Sequence, residues 1–436
     1  MSDETCEPMS CDALGYECGM TNDACGSVDC GSCPGDQTCT NGQCEPSRVD
    51  NPFAGTEFYI NPDYAENVDL SIAQSPELTA AMEAVKQQPT AVWLYRIAAI
   101  DPTADRLGLR QHFDEALAQQ QAAGGGPMTV VLVVYDLPNR DCAAAASNGE
   151  LLGDEGMQRY RTEFIDRIAS EIEADPQYQK LRVVTVLEPD SLPNIVTNLG
   201  LPSCVEAEPY YREGISYAIS RFSQIDNVYT YLDIAHSGWL GWEHPESAAL
   251  IYQDVIDSAQ PSRVSGFVTN VSNYSTLEES FDPEDQAHDD LIQEYYEWNR
   301  IVDEQRYVAR LSSLFPTMGF VIDTGRNGWD PGTIPLEQRT HRGSWCNVGD
   351  AGIGERPQAE PQPGADYLHA YFWVKPPGES DGTSDESATD PNEEGKSFDE
   401  MCAAGMNDSM DTDAPHAGRW FHENFVMLVQ NATPPL

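Results

Sequence analysis

From residue 91 onward the chain alternates two patterns. Short runs rich in β-branched and aromatic residues recur: "AVWLYRI" (91–97), "TVVLVVYDL" (129–137), "LRVVTVLEP" (181–189), "VYTYLDI" (228–234), "SGFVTNV" (265–271), "GFVIDTG" (319–325) and "AYFWVKP" (370–376). Between them lie amphipathic stretches of helical period, such as "MQRYRTEFIDRIASEIEAD" and "PYYREGISYAISRFSQ". Continuous apolar runs separated by helices predict parallel strands with crossover helices. Seven in series predict a barrel-like α/β fold rather than a small open sheet.

The runs end alike. Asp136 and Asp141 follow the second, Glu188 and Asp190 the third, Asp233 and His236 the fourth. Asn270 and Asn273 follow the fifth, Asp323 closes the sixth, and Lys375, Glu379 and Asp381 follow the seventh. One such acid would mean little, because Asp is common in loops and caps helices. Recurrence at strand after strand marks a C-terminal rim, where barrel sites assemble.

Residues 1–47 break the pattern. Cys6, Cys11, Cys18, Cys25, Cys30, Cys33, Cys39 and Cys44 fall here among Gly, Asp and Thr, with almost no aliphatic core. An even, dense set predicts a disulfide-stapled module and an oxidising, extracellular compartment. Zinc is the rival, since Cys30 and Cys33 have ligand spacing, but the segment lacks His and a second close pair. The expected division is a module at 1–47 and a catalytic barrel at 48–436. The start, "MSDETCEP", is polar and acidic, unlike a leader; an exported form would carry one outside this sequence.

Charge narrows the partners. Lys+Arg number 24 against 72 Asp+Glu, a net charge of -48. Nucleic acids and anionic membranes need a basic surface, so neither is expected as a partner. No apolar run approaches the roughly 18–20 residues of a membrane helix. Either a solubilising surface or adaptation to salt accounts for the acidity. A neutral polymer remains compatible with it.

Paired carboxylates among aromatic residues suit glycoside hydrolysis. One carboxyl must be protonated to release the leaving oxygen, and the other assists water or stabilises charge. Asp190 and Asp141 follow adjacent runs. A like charge at about 5 Å costs roughly 3 kcal/mol at an effective dielectric of about 20, enough to keep one carboxyl protonated. Trp239 and Trp242 in "HSGWLGW", with Trp93 and Trp345 expected in other strand-end loops, offer flat faces for sugar rings; core packing is the plainer fate of a tryptophan. No GxSxG, HExxH, Walker loop or strand-linked GxGxxG occurs. No metal and no organic cofactor are expected.

Seven blocks then resemble glycoside hydrolase family 6, in matching order: "VVYDLPNRDCAAAASNGE", "LEPDSLPNIVTNL", "YLDIAHSGWLGW", "TNVSNY", "DTGRNGW", "WCNVGDAGIGERP" and "WVKPPGESDGTS". The resemblance covers about 51–436 and leaves the Cys-rich module outside. It implies a distorted barrel of seven parallel strands and hydrolysis of β-1,4-glucan with inversion. It places the proton donor at Asp190 and a second aspartate at Asp141, which works through a water chain including Ser147. Asp381 is the other candidate base. Tyr135 falls near the distorted sugar. Asp233, His236, Lys375 and Glu379 fall on sugar-binding positions, joined here by Asn273. Trp93, Trp239, Trp242 and Trp345 fall on stacking platforms. The resemblance also pairs Cys142 with Cys204 and Cys346 with Cys402.

The long Cys346–Cys402 segment and the block "PPGESDG" resemble bacterial exo-cellobiohydrolases. The resulting expectation is a secreted, monomeric cellobiohydrolase acting from the non-reducing end on cellulose and cello-oligosaccharides. Its rivals are an endoglucanase and a glucan-binding protein with an inactive site.

Overall fold

The structure is a computed structural model that describes residues 9–33, 37–40, 42–46, 48–242, 245–328, 341–388 and 395–436. All seven expected strands are present: β1 (Val92–Leu94), β2 (Met128–Val134), β3 (Leu181–Leu187), β4 (Val228–Asp233), β5 (Val264–Thr269), β6 (Gly319–Asp323) and β7 (Leu368–Phe372). Each pairs in parallel with its sequence neighbour, from β1 on β2 through β6 on β7. One isolated bridge, Thr90 to Trp373, links the first strand region to the last. Among the described residues, the barrel is thus ladder-paired along six seams and joined at the seventh by an isolated bridge. Two short edge segments add to the sheet: Glu57–Phe58 pairs the start of β2, and Gln358–Ala359 runs antiparallel to β7.

Strand composition explains the packing. In β2, Val130, Leu132 and Val134 join the outer core against the helices, while Val131 and Val133 join the barrel interior. Both faces are buried, so the strand reads as an unbroken apolar run rather than an alternation. Fully burying one such valine contributes about 1.5–3 kcal/mol. The helical stretch after β2 is a helix at Gly153–Arg159, a π turn at Tyr160–Ile165 and a helix at Asp166–Ile172. The π turn holds Tyr160, whose hydroxyl donates to Glu188 Oε1 at 2.9 Å.

The Cys-rich segment carries two hairpins, Met20–Asp23 with Gly26–Asp29 and Gln37–Thr40 with Gln43–Pro46. Bridges Cys11–Cys30 and Cys18–Cys39 tie it together, and Cys25 and Cys33 are also in disulfides. Cys11, Cys18, Cys25, Cys30, Cys33 and Cys39 therefore bridge rather than hold zinc. Arg48 enters the barrel at the start of β4, donating to the carbonyls of Asp226 at 3.0 Å and Val228 at 2.5 Å, with its guanidinium 4.4 Å from the Tyr229 ring centre. The segment therefore joins at the N-terminal rim, the opposite pole from the strand-end acids.

Candidate active site

Backbone strain concentrates at the C-terminal rim. Asn139 and Asp141 after β2, Glu188 and Asp190 after β3, Ala235 after β4, and Asn270 and Ser272 after β5 all have positive φ. Outside glycine this region is sparsely used, and clusters of such residues accompany functional sites. The tight turns throw successive side chains in different directions. Glu188 turns toward the helical layer, accepting from the backbone N–H groups of Asp136 and Leu137, both at 3.2 Å, and from Tyr160. Burial pushes its carboxyl up to about 7 against those bonds. Asp190, two residues on, faces a cavity of about 870 Å³.

Asp190 is surrounded by acids. Burial raises its carboxyl well above the usual range, and the charges of Asp233, Asp141 and Asp381 add to the shift. Asp233 lies behind it, 2% exposed, and is not part of the cavity wall. Its Oδ2 accepts the backbone N–H of Asp190 at 2.9 Å and that of Ala235 at 3.3 Å. Burial takes Asp233 up to about 7. Two coupled carboxyls in one buried site retain a proton between them near neutral pH.

Asp141 sits across the cavity wall from a different loop. Tyr135 donates its hydroxyl to Asp141 Oδ2 at 2.6 Å. Burial drives that phenol far above its ordinary range, so it stays a donor. The Arg140 guanidinium lies 4.2 Å from the Tyr135 ring centre, and its Nε donates to the Ser147 carbonyl at 2.9 Å. Ser147 and Asp141 thereby reach the cavity from one braced turn.

Asp381 has a different environment. Its oxygens accept from Arg326 at 2.7 and 2.8 Å, from the Tyr274 hydroxyl at 2.7 Å and from the Asn347 backbone at 2.9 Å. Arg326 follows β6 directly and is fully buried. Neither Arg326 nor Tyr274 stood out in the sequence; the sole signal was an arginine just past a strand end in "DTGRNGW".

The remaining candidates converge. Lys375 and Glu379 form an ion pair at 3.5 Å, and the Lys375 ammonium lies 5.1 Å from the Trp93 ring centre. Trp93 lies within β1 rather than after it, its indole N–H donating to the Val374 carbonyl at 2.8 Å. His236 meets Ser275 Oγ at 2.7 Å, and burial holds its imidazole down to about 3, hence neutral. Trp239 is anchored to Thr197 Oγ1 at 2.8 Å, and Trp242 to the Glu297 carbonyl at 2.9 Å. Asn273 and Trp345 complete the wall, Trp345 packing on the Cys346–Cys402 bridge. The Cys142–Cys204 bridge is also present.

Two loops meet over this cavity. The Ala145 N–H donates to Asp399 Oδ2 at 2.8 Å, and the Ser397 N–H returns to the Ala145 carbonyl at 3.1 Å. Ala144 and Ser147 from one loop and Lys396 from the other all face the same space.

A barrel rim with a proton-retaining aspartate, further carboxylates and tryptophan platforms in one cavity has the makings of a glycan-cleaving enzyme. The family comparison agrees: residues 53–432 match "Glycosyl hydrolases family 6". The chain belongs to that family and is a glycoside hydrolase. It is 42% identical to "Exoglucanase A" of Cellulomonas fimi, over 91% of this chain and 50% of that protein. The chain thus spans about half the length of that relative. It is 38% identical to "Probable 1,4-beta-D-glucan cellobiohydrolase C" of Aspergillus niger, covering 89% of this chain and 79% of the other. Among solved structures it is similar to the catalytic domain of Cellulomonas fimi Cel6B, with TM-score 0.84, 41% identity, and 90% and 97% coverage. It also resembles cellobiohydrolase II (Cel6A) from Humicola insolens, solved with glucose and cellotetraose, with TM-score 0.76, 36% identity, and 88% and 100% coverage.

Proposed function

We propose that this protein is a secreted cellobiohydrolase that cleaves β-1,4-glucan from the non-reducing end with inversion, releasing cellobiose. The carrying observation is the environment of Asp190: a cavity-facing carboxyl that burial and three neighbouring acids keep protonated. It donates its proton to the glycosidic oxygen as the C–O bond breaks. Water adds to the anomeric carbon from the opposite face, and its proton leaves toward Asp141 through solvent beside Ser147. Tyr135 occupies one oxygen of Asp141 and leaves the other for that chain. Asp381 is the less accessible candidate, because Arg326, Tyr274 and the Asn347 backbone already occupy both of its oxygens. Lys375 and Glu379 grip sugar hydroxyls, and the tryptophans stack on ring faces. Exo action is supported by the loops that meet through Ala145, Ser397 and Asp399. Residues 1–47 we assign to a separate disulfide-stapled module.

Proton NMR of cellohexaose digestion, with product lengths read in parallel, tests this reading. Early α-anomer with cellobiose dominant is expected. Early α-anomer with mixed lengths would make the protein an endoglucanase, and early β-anomer would overturn the mechanism. No turnover would leave a glucan-binding protein.

A further inference from the structure

One large, exposed aromatic side chain belongs to none of the motif blocks and follows directly on Glu297, whose carbonyl holds the cavity-lining Trp242. Trp298 is 61% exposed. Its turn follows the helix Asp289–Glu294. Glu297 and Trp298 both have positive φ, at 50° and 70°. Consecutive left-handed residues of this size are unusual and persist only where surrounding contacts impose them.

Those contacts lead straight to the cleft. The Glu297 carbonyl accepts the Trp242 indole N–H at 2.9 Å. Asn299 Nδ2 donates to the Ser237 carbonyl at 2.8 Å, at the start of the short helix Ser237–Leu240 that carries Trp239. A Cβ on Gly241 would lie 2.1 Å from the Ser237 carbonyl oxygen and 2.7 Å from Asn299 Nδ2, so only glycine fits where these two groups meet. The Arg342 guanidinium lies 4.8 Å from the Tyr296 ring centre and 5.8 Å from that of Trp242. The Trp298 backbone N–H is tied to the Ile292 carbonyl at 2.9 Å. Trp298 is therefore held on a rigid turn fixed to Trp242, while its indole stays in water.

We propose that Trp298 is a further sugar-stacking platform, outside Trp242, that engages an incoming β-1,4-glucan chain before it reaches Trp242 and Trp239. This deepens the reading above and rests on it. An exposed indole on a rigid backbone offers flat apolar area at low entropic cost, suited to the C–H face of a pyranose. The strained turn fixes where that area points.

The test compares long and short substrates. Trp298→Ala should lower the ratio of kcat/KM on insoluble cellulose to kcat/KM on cellotriose by about three- to tenfold, the range of one aromatic contact. The loss should sit in KM, and Trp298→Phe should recover most of it. In an Asp190→Ala background, Trp298→Ala should weaken adsorption to cellulose by a similar factor. An unchanged ratio, or equal losses on both substrates, would overturn the proposal. If the parent enzyme neither binds nor cleaves cello-oligosaccharides, the underlying reading falls instead.

Discussion

Two carboxylates face the same cavity and live in opposite environments. Asp190 has acids for neighbours: Asp233 behind it, Asp141 and Asp381 nearby. Asp381 has an arginine, a tyrosine hydroxyl and a backbone N–H, and is bonded on both oxygens. The side chains are identical, so their neighbours alone raise one group's hold on its proton and surround the other with hydrogen-bond donors. Site chemistry here resides less in the residue type at a strand end than in what the adjoining strand ends bring to it.

The largest effect should come from removing the donor. Asp190→Ala should cut kcat on cellohexaose by about 10²–10⁴-fold, the range of a general acid. Binding measured by calorimetry should survive, and substrates whose leaving group needs no proton should lose far less. Full activity on cellohexaose would end the contrast between the two aspartates. On the other side, Arg326→Met strands a buried carboxylate. Breaking such a pair costs about 3–5 kcal/mol, readable as a lower urea midpoint. A midpoint within error of the parent would mean that Asp381 does not depend on its cation.

How much of this contrast could be read beforehand follows from its physics. The seven strands were legible because strands buried on both faces need unbroken β-branched runs. The two-residue edge segments Glu57–Phe58 and Gln358–Ala359 were not, being too short to carry a period. Asp190 and Asp141 could be picked out as acids on adjacent strand ends, and the family blocks sharpened them. Asp233 was expected at the sugar; it lies behind Asp190, because which way a rim side chain turns depends on local φ, which spacing does not encode. Glu188 in "VLEPD" is a strand-end acid like Asp190, yet its partners are backbone N–H groups and Tyr160, set by a π turn in a distant helix. Arg326 and Trp298 escaped notice since a lone arginine or tryptophan in a loop has no pattern.

The acid-rich side also sets a pH signature. Asp190 must hold its proton, so activity should fall as pH rises through the coupled Asp190–Asp233 titration. Asp233→Asn removes a like charge, lowers the donor's affinity for its proton and should move that alkaline limb to lower pH. A limb that stays put would separate the two groups. Stability should follow a parallel course. Burial raises Glu188, Asp233 and Glu304 to about 7 and Asp323 to about 6. Carboxyls raised on folding stabilise fully below their ordinary pKa near 4, and that contribution is lost as pH climbs through the folded values. The Tm should therefore fall between about pH 5 and pH 8, with a flat profile arguing that these acids are not buried in solution.

The smallest effect concerns the roof rather than the chemistry. Asp399 accepts the Ala145 N–H at 2.8 Å and the Met401 N–H at 3.0 Å, so one carboxylate joins the two loops and caps a turn of its own. Asp399→Ala removes this bond, leaving the Ser397 bonds to the Ala145 carbonyl, without touching Asp190 or its neighbours. A charge-assisted bond of this kind contributes about 1.5–3 kcal/mol, and part of that is recovered by water on an exposed loop. Loosening the roof should let internal chain segments enter. The ratio of viscosity loss on carboxymethyl cellulose to cellobiose release should rise several-fold, while turnover of cellotriose changes little. A rise confirms that exo character lies in the loop contact. An unchanged ratio would move it to the remaining ties of the same loop, the Ser397 bonds and the Cys346–Cys402 bridge just beyond Asp399.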